Sequence, residues 1–270
     1  MAASPLMSVM MAAARKAGKS LARDFGEVEN LQVSIKGPAN FVSAADHRAE
    51  QIVFDELSHA RPGYGFLMEE RGEVAGVDKT HRWIVDPLDG TTNFLHGNPL
   101  FAIAIALERE GQVVAGLIYN PVMDEMYMAE KGKGAFMADR TGRDRRIRVA
   151  ARKTLEDALL STGIPHRGRP HHSYFLDEIE EVMKVAAGIR RTGSACLDLA
   201  WTAAGRFDGY WERNLGAWDI AAGSVMVREA GGIVTDLMGG QDMLSKGTVC
   251  AGNQTIQRSL LATISEARQA

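Results

Sequence analysis

Two carboxylates stand three residues apart in the run Asp86-Pro87-Leu88-Asp89-Gly90-Thr91-Thr92-Asn93-Phe94, directly before a Gly-Thr-Thr stretch rich in hydrogen-bond donors. Hard divalent cations such as Mg²⁺ take oxygen ligands and share them with substrate phosphates, so the run reads as a metal site beside an anion site. Pro87 fixes φ and has no N–H. It is expected to push the chain out of a strand over Trp83-Ile84-Val85 and to leave the Leu88 carbonyl as a third oxygen ligand. Gly90 allows close backbone approach, and the amides of Gly90, Thr91 and Thr92 are placed to open a helix facing a phosphate. The same residues are also good turn formers, so the run alone does not decide between a site and a turn.

Other acids shift that balance. Phe66-Leu67-Met68 reads as a short buried strand ending in Glu69-Glu70, which puts two acids at a strand terminus. In Ala217-Trp218-Asp219-Ile220-Ala221-Ala222-Gly223, one carboxylate opens an Ala/Gly-rich helix whose small residues permit close packing. Asp219 alone would pass for a first-turn acid favoured by the helix dipole. Asp46, after Phe41-Val42-Ser43-Ala44-Ala45, alone reads as an N-cap, and Glu212, after Gly209-Tyr210-Trp211, as a surface acid.

Taken together and in order, these segments resemble the inositol monophosphatase family, the Mg²⁺-dependent, lithium-sensitive phosphomonoesterases that share a fold with fructose-1,6-bisphosphatase. The resemblance rests on Glu69-Glu70, on Asp86 to Phe94, and on Trp218 to Gly223 followed by Glu229-Ala230-Gly231-Gly232. Lys36, Asp46, Gly193-Ser194-Ala195 and Glu212 are weaker members, and the whole set spans about residue 36 to about residue 236. The resemblance implies that Glu69, Asp86 and the Leu88 carbonyl hold a first Mg²⁺, and that Asp86, Asp89 and Asp219 hold a second. Asp86 would bridge them, and Glu69 would help bind a looser third ion through water. The Gly90 and Thr91 amides would bind the phosphate. Thr91, oriented by Asp46, would help activate water together with Glu69. Asp89, Gly193, Ser194, Ala195, Glu212 and Asp219 would line the polyol. Ser194 stands where many relatives have Thr, which keeps the hydroxyl.

The chemistry follows from charge. A phosphate monoester dianion repels a hydroxide nucleophile, so a catalyst must supply cations. Without metal, Glu69, Asp86, Asp89 and Asp219 would repel one another and some of their pKa values would rise. Metal binding is therefore expected to strengthen with pH, giving an alkaline optimum.

The elements that must position these residues fall into two halves. Helices are expected near 5–25 and 44–60, followed by strands ending at Glu69 and Asp86. A β-rich run over 101–107, 113–119, 125–129, 135–138 and 145–149 completes the first half. The second half alternates: strand 159–161, helix 173–187, a strand near Ile189, helix 194–204, strand 210–211, helix 217–230, strands 233–235 and 249–250, and a final helix. The join is placed near Ala150-Lys153, giving units 1–150 and 151–270. The resemblance implies a five-layer α-β-α-β-α sandwich with the site between the halves. A chain of 270 residues can bury such a core.

The net charge of −3 gives no general pull towards nucleic acid. Two cysteines, Cys196 and Cys250, fall in apolar stretches, which suits a reducing cytoplasm. The first helix carries Arg15, Lys16, Lys19 and Arg23 among apolar residues, an amphipathic core-facing pattern with no membrane span. A homodimer is the expected assembly. Arg140, Arg143, Arg145, Arg146 and Arg148 read as a solvated hairpin face, His171-His172 as a helix start rather than a metal pair, and Met7, Met10 and Met11 as packing.

The expected substrate is inositol-1-phosphate and related polyol monophosphates. Histidinol phosphate, fructose bisphosphate and 3′-phosphoadenosine 5′-phosphate are alternatives that the metal motif cannot separate. Glu212 favours neutral hydroxyls over a second phosphate. From another class comes a regulatory protein that binds the RNA or transcription machinery, for which the basic hairpin is the only supporting feature.

Overall fold

A computed structural model describes residues 4–27, 33–37, 40–139, 141 and 143–267; Arg140 and the side chain of Lys36 lie outside what is described. Helices α1 (Pro5–Phe25) and α2 (Ala44–Ala60), with the hairpin β1 (Val33–Gly37) and β2 (Asn40–Ser43) between them, lead into the first large sheet. Its strands are β3 (Gly65–Met68), β4 (Gly72–Val74), β5 (His81–Asp89), β6 (Ala102–Arg109), β7 (Gln112–Asn120), β8 (Glu125–Glu130), β9 (Gly134–Ala138) and β10 (Asp144–Arg146). They lie in the order β10-β9-β8-β7-β6-β5-β3-β4, antiparallel except for the β3–β5 pair. The short helix α3 (Thr91–Leu95) follows β5.

The second sheet, in the order β12-β11-β13-β15-β14, is built from β11 (Leu159–Thr162), β12 (Gly188–Arg190), β13 (Gly209–Arg213), β14 (Ile233–Thr235) and β15 (Thr248–Gly252). Its helices are α4 (His172–Met183), α5 (Ala195–Ala203), α6 (Ala217–Glu229), α7 (Met243–Lys246) and α8 (Gln254–Glu266). The layers alternate: α1 and α2, the eight-stranded sheet, α5 and α6, the five-stranded sheet, then α4 and α8. This is the five-layer α-β-α-β-α sandwich.

Side-chain size along β6 shows why the middle layer closes. Phe101, Ile103, Ile105 and Leu107 pack towards α1 and α2, while Ala102, Ala104 and Ala106 face α5 and α6. The alanine face leaves room for a helix. A Cβ on Gly116 of β7 would come within 2.5 Å of the Ala222 carbonyl oxygen, and one on Gly223 within 2.4 Å of Leu199 Cβ, so both glycines are required for α6 to sit this close. Helix α6 is buried continuously from Ile220 to Val227, as a helix between two sheets must be.

The main correction to the sequence reading concerns Pro87. The strand does not end at Val85 but runs to Asp89, with a break in register between the pairs Asp86↔Ala104 and Asp89↔Ala102. Two residues, Pro87 and Leu88, oppose one, Ile103. Proline is tolerated inside a sheet at such a bulge because the bulge already lacks a ladder hydrogen bond. Helix α4 stops at Met183 rather than 187, and β10 is shorter than the expected 145–149 strand. Arg143, Arg145, Arg146 and Arg148 are exposed along and beside this edge strand. Among the described residues no helix is long and apolar enough to cross a membrane.

Candidate metal and phosphate site

Parallel pairing of β3 with β5 sets Met68 opposite Val85, and the Glu69 N–H continues the ladder to the Val85 carbonyl at 3.3 Å. Glu69 therefore emerges beside Asp86. The bulge then turns the chain so that Asp86 and Asp89 serve the same cleft although they lie three apart on one strand. Asp86 Oδ1 accepts the Leu88 N–H at 2.9 Å, and the Leu88 carbonyl accepts the Thr91 hydroxyl at 2.9 Å, leaving that oxygen a second lone pair. Gly90 has φ of 88°, and a Cβ there would lie 2.9 Å from the Leu100 carbonyl oxygen, so glycine is needed for both reasons.

Asp219 comes from the other side, in the first turn of α6, where its Oδ2 accepts the Gly216 N–H at 2.6 Å. The helix-start reading of Asp219 thus holds alongside its place in the cleft. Asp86 lies within hydrogen-bonding reach of both Glu69 and Asp219. Ionised carboxylates only accept, so groups this close need a shared proton or a cation between them.

The protonation behaviour reports that need. Burial, then the charges of Asp219, Glu70 and Asp89, pushes Glu69 up to about 8. Burial and Asp89 raise Asp219 to about 7. Asp86 is driven well above the carboxylate range by burial and by Glu69, Asp89 and Asp219. Burial also raises Asp89, against the opposing hydrogen bonds from Ser194 and Cys196. A hard divalent cation fits this oxygen-rich, mutually repelling set better than any other single group.

The cleft holds about 340 Å³ and is lined by Glu69, Asp86, Leu88, Asp89, Gly90, Thr91, Gly193, Ala195, Glu212 and Asp219 among others. Ser194 is not on its wall. It caps α5, accepting the Leu197 N–H, and its hydroxyl donates to Asp89 Oδ2. Asp46 is buried in the first turn of α2, past the N-cap position, and a carboxylate oxygen from each of Asp46, Glu69 and Glu70 falls within one 4.8 Å cluster. Glu212 is half-buried on the cleft wall rather than on the outer surface; it accepts from the Tyr210 hydroxyl at 2.6 Å, and burial raises it to about 7. Gly163 makes room for it, since a Cβ there would collide with the Glu212 carboxylate at 1.8 Å.

Several further residues belong to this region; Arg169 and Glu50 carried no readable signal in the sequence, whereas Arg191, just before Gly193-Ser194-Ala195, is read from the sequence as near the substrate or a subunit partner. Arg169 and Arg191 line the cleft and oppose the acids at Asp219 and Glu212 respectively. His171 also lines it, but His172 turns away to the His166 carbonyl, because His171 adopts φ of 68° ahead of α4. Cys196 is buried between Asp89, to which its N–H donates at 2.8 Å, and the Asp219 carbonyl; it and Cys250 are both free thiols. Glu50 of α2 accepts the Glu70 and Arg71 amides and so pins the turn that carries Glu69.

The profile of the inositol monophosphatase family matches residues 2–269. The chain belongs to the inositol monophosphatase family. Membership makes it a metal-dependent phosphatase. It is 64% identical to an inositol-1-monophosphatase of Mesorhizobium japonicum over 98% of this chain and 97% of the relative. It is 36% identical to the Nus factor SuhB of Escherichia coli, over 96% of each. The crystal structure of the extragenic suppressor protein SuhB of Bartonella henselae superposes with a TM-score of 0.93 at 57% identity, covering 97% of this chain and 99% of that one.

Proposed function

We propose that this protein hydrolyses inositol-1-phosphate and related polyol monophosphates to the polyol and phosphate with Mg²⁺ as cofactor. The observation that carries the reading is the convergence of Glu69, Asp86, Asp89 and Asp219, from three different elements, on one cleft that continues to Glu212. Glu69, Asp86 and the Leu88 carbonyl would hold one ion, Asp86, Asp89 and Asp219 would hold a second, and Glu69 would assist a third. When bound, Mg²⁺ neutralises the phosphate, lowers the pKa of water and stabilises the leaving alkoxide.

The protein's own groups do the rest. The Gly90 and Thr91 amides hold the phosphate where the bulge and the left-handed Gly90 turn present them. Thr91, whose hydroxyl donates to the Leu88 carbonyl, orients the attacking water, assisted by Asp46 and Glu69. Asp89, Gly193, Ala195, Glu212 and Asp219 form the polyol side, and Ser194, which was expected there, stands behind Asp89 instead. Glu212 is suited to neutral hydroxyls, because a carboxylate accepts hydrogen bonds from them and repels a second phosphate. In this reading units 1–150 and 151–270 each contribute one wall. The free buried thiols Cys196 and Cys250 suit a reducing cytoplasm, and a homodimer is the proposed assembly.

A phosphate-release screen with Mg²⁺ across inositol-1-phosphate, histidinol phosphate, fructose 1,6-bisphosphate and 3′-phosphoadenosine 5′-phosphate tests the choice. The highest kcat/KM is expected on inositol-1-phosphate. Preference for a bisphosphate would remove the role given to Glu212. The Escherichia coli relative's name raises a second reading, a role in transcription, which the exposed arginines along β10 favour. Salt-sensitive capture of RNA polymerase that is lost on replacing Arg143, Arg145 and Arg146 with Gln would establish it beside the phosphatase.

A further inference from the structure

Asp89 is held from one side only. Its Oδ2 accepts both the Ser194 hydroxyl at 2.5 Å and the Cys196 N–H at 2.8 Å, so Oδ1 is the oxygen left for a cation. The aim of Asp89 thus depends on where Ser194 stands, and Ser194 sits at the end of the tight turn Thr192-Gly193-Ser194, with Gly193 at φ of 89°. Something must hold that turn, since its glycine has little conformational preference of its own.

Two side chains do so. Asn93 of α3 donates to the Thr192 carbonyl at 2.9 Å and to the Leu100 carbonyl at 2.6 Å. Asp198, one turn into α5, accepts the Thr192 hydroxyl at 2.8 Å, and Thr192 Oγ1 in turn lies 3.3 Å from the Ser194 N–H as its acceptor. Asp198 and Thr192 are buried at 1% and 7% exposure, and Asp198 does not line the cleft. The chain of hydrogen bonds therefore runs from Asp198 of α5 through the turn to Asp89 at the end of β5 in the other sheet. A buried acid at this position is costly unless its acceptors are used; the Thr192 hydroxyl uses Oδ2, while Oδ1 accepts no hydrogen bond from the described residues.

We propose that Asp198 is a positioning residue: through Thr192 it fixes the turn that carries Ser194, and Ser194 aims the Asp89 carboxylate at the metal. The inference rests on the metal-site reading above. It predicts that the acceptor matters and the charge does not. Asp198→Asn keeps a carbonyl oxygen for Thr192, whereas Asp198→Ala and Thr192→Val each break the same bond.

The test is calorimetric titration of the metal-free full-length protein with Mg²⁺, accompanied by circular dichroism and Tm for each variant. Asp198→Ala and Thr192→Val should weaken Mg²⁺ binding by about tenfold, the usual scale for groups that orient a metal ligand. The double variant should be no weaker than either single one, and Asp198→Asn should bind within about threefold of wild type. If Asp198→Ala fails to fold, Thr192→Val, a near-isosteric change, carries the test alone. Folded Thr192→Val with a lowered Tm and wild-type Mg²⁺ affinity would overturn the proposal while leaving the metal site intact. A wild type that binds no Mg²⁺ would overturn both.

Discussion

Asp86 and Asp236 are both closed to solvent, at 1% and 0% exposure, yet the fold treats them in opposite ways. Asp236 accepts the Met238 and Gly240 amides at 2.7 and 3.0 Å and the Lys246 ammonium at 2.7 Å. Burial alone would raise it, but those partners hold it below the ordinary carboxylate value. Asp86 accepts one amide and otherwise faces Glu69, Asp89 and Asp219, so it is raised. One acid is given its cation by the chain, and the other is set among acids. A fold that can give a buried carboxylate a cation when stability requires it, and leaves four around a cleft with no ion pair among the described residues, has the pattern of a ligand site.

Substituting each acid should separate the two cases most widely. Asp86→Asn should lower phosphate release by roughly three orders of magnitude, because several kcal/mol of barrier would rest on the ions that the proposed function has it bridge. Its metal-free Tm should be unchanged or higher, since repulsion is relieved. Asp236→Asn should keep most activity and lose about 1–3 kcal/mol of stability in urea unfolding, the cost of weakening a buried, charge-assisted network. Near-normal turnover by folded Asp86→Asn at saturating Mg²⁺ would remove the bridging role.

Lithium probes the same set without mutation. Li⁺ resembles Mg²⁺ in size but carries half the charge, so it can occupy the Asp86, Asp89 and Asp219 oxygens without supporting turnover. Inhibition is expected at concentrations on the order of millimolar. Activity that holds steady up to roughly 100 mM lithium, with ionic strength fixed by potassium, would count against that oxygen set.

pH sharpens the contrast further, because the signs differ. Glu69 and Asp219 have folded pKa values raised to about 8 and about 7, so their contribution to stability is full below the unfolded value near 4 and fades as pH rises to about 8. Asp236 is lowered, so its contribution is present above the unfolded value and fades as pH falls below it. Metal-free protein should therefore lose Tm between about pH 5 and 8, and the Tm gain from Mg²⁺ should grow over the same interval. A constant Mg²⁺ gain from pH 5 to 8 would mean that these acids are already ionised.

The smallest effects lie within the cleft. Glu212→Ala should raise KM for inositol-1-phosphate by about tenfold with little change in kcat, as expected when binding that is uniform along the reaction is lost. Thr91→Ala should do the reverse, lowering kcat with KM nearly kept. Unchanged KM in Glu212→Ala with altered kinetics on histidinol phosphate would keep the family chemistry and change the substrate.

Much of this was legible in the sequence, for identifiable reasons. The β-rich run that begins over 101–107, the Ala/Gly-rich segment after Asp219, and the acid pair after Phe66-Leu67-Met68 are local patterns that mark their elements directly. The bulge at Pro87 was not legible, since proline ends strands more often than it sits within them, and only the β6 register shows that the strand resumes. Thr192 and Asp198 were equally silent, and Asn93, though within the Asp86 to Phe94 run, had no role assigned to it. Their bonds run across a helix cap and between halves of the chain, over separations that no periodicity marks. Glu212 gave a misleading signal, because its burial depends on Gly163 and Tyr210 rather than on its own strand pattern.

The reservation of these acids for a cation is tested most directly by counting protons. Metal-free protein titrated with Mg²⁺ at pH 7, in buffers of different ionisation enthalpy, reports how many protons leave on binding. Because Glu69 is still largely protonated at that pH, about one proton or more per protein should be released, falling towards zero near pH 9. Mg²⁺ binding at pH 7 with no proton released, or no binding at all, would contradict it.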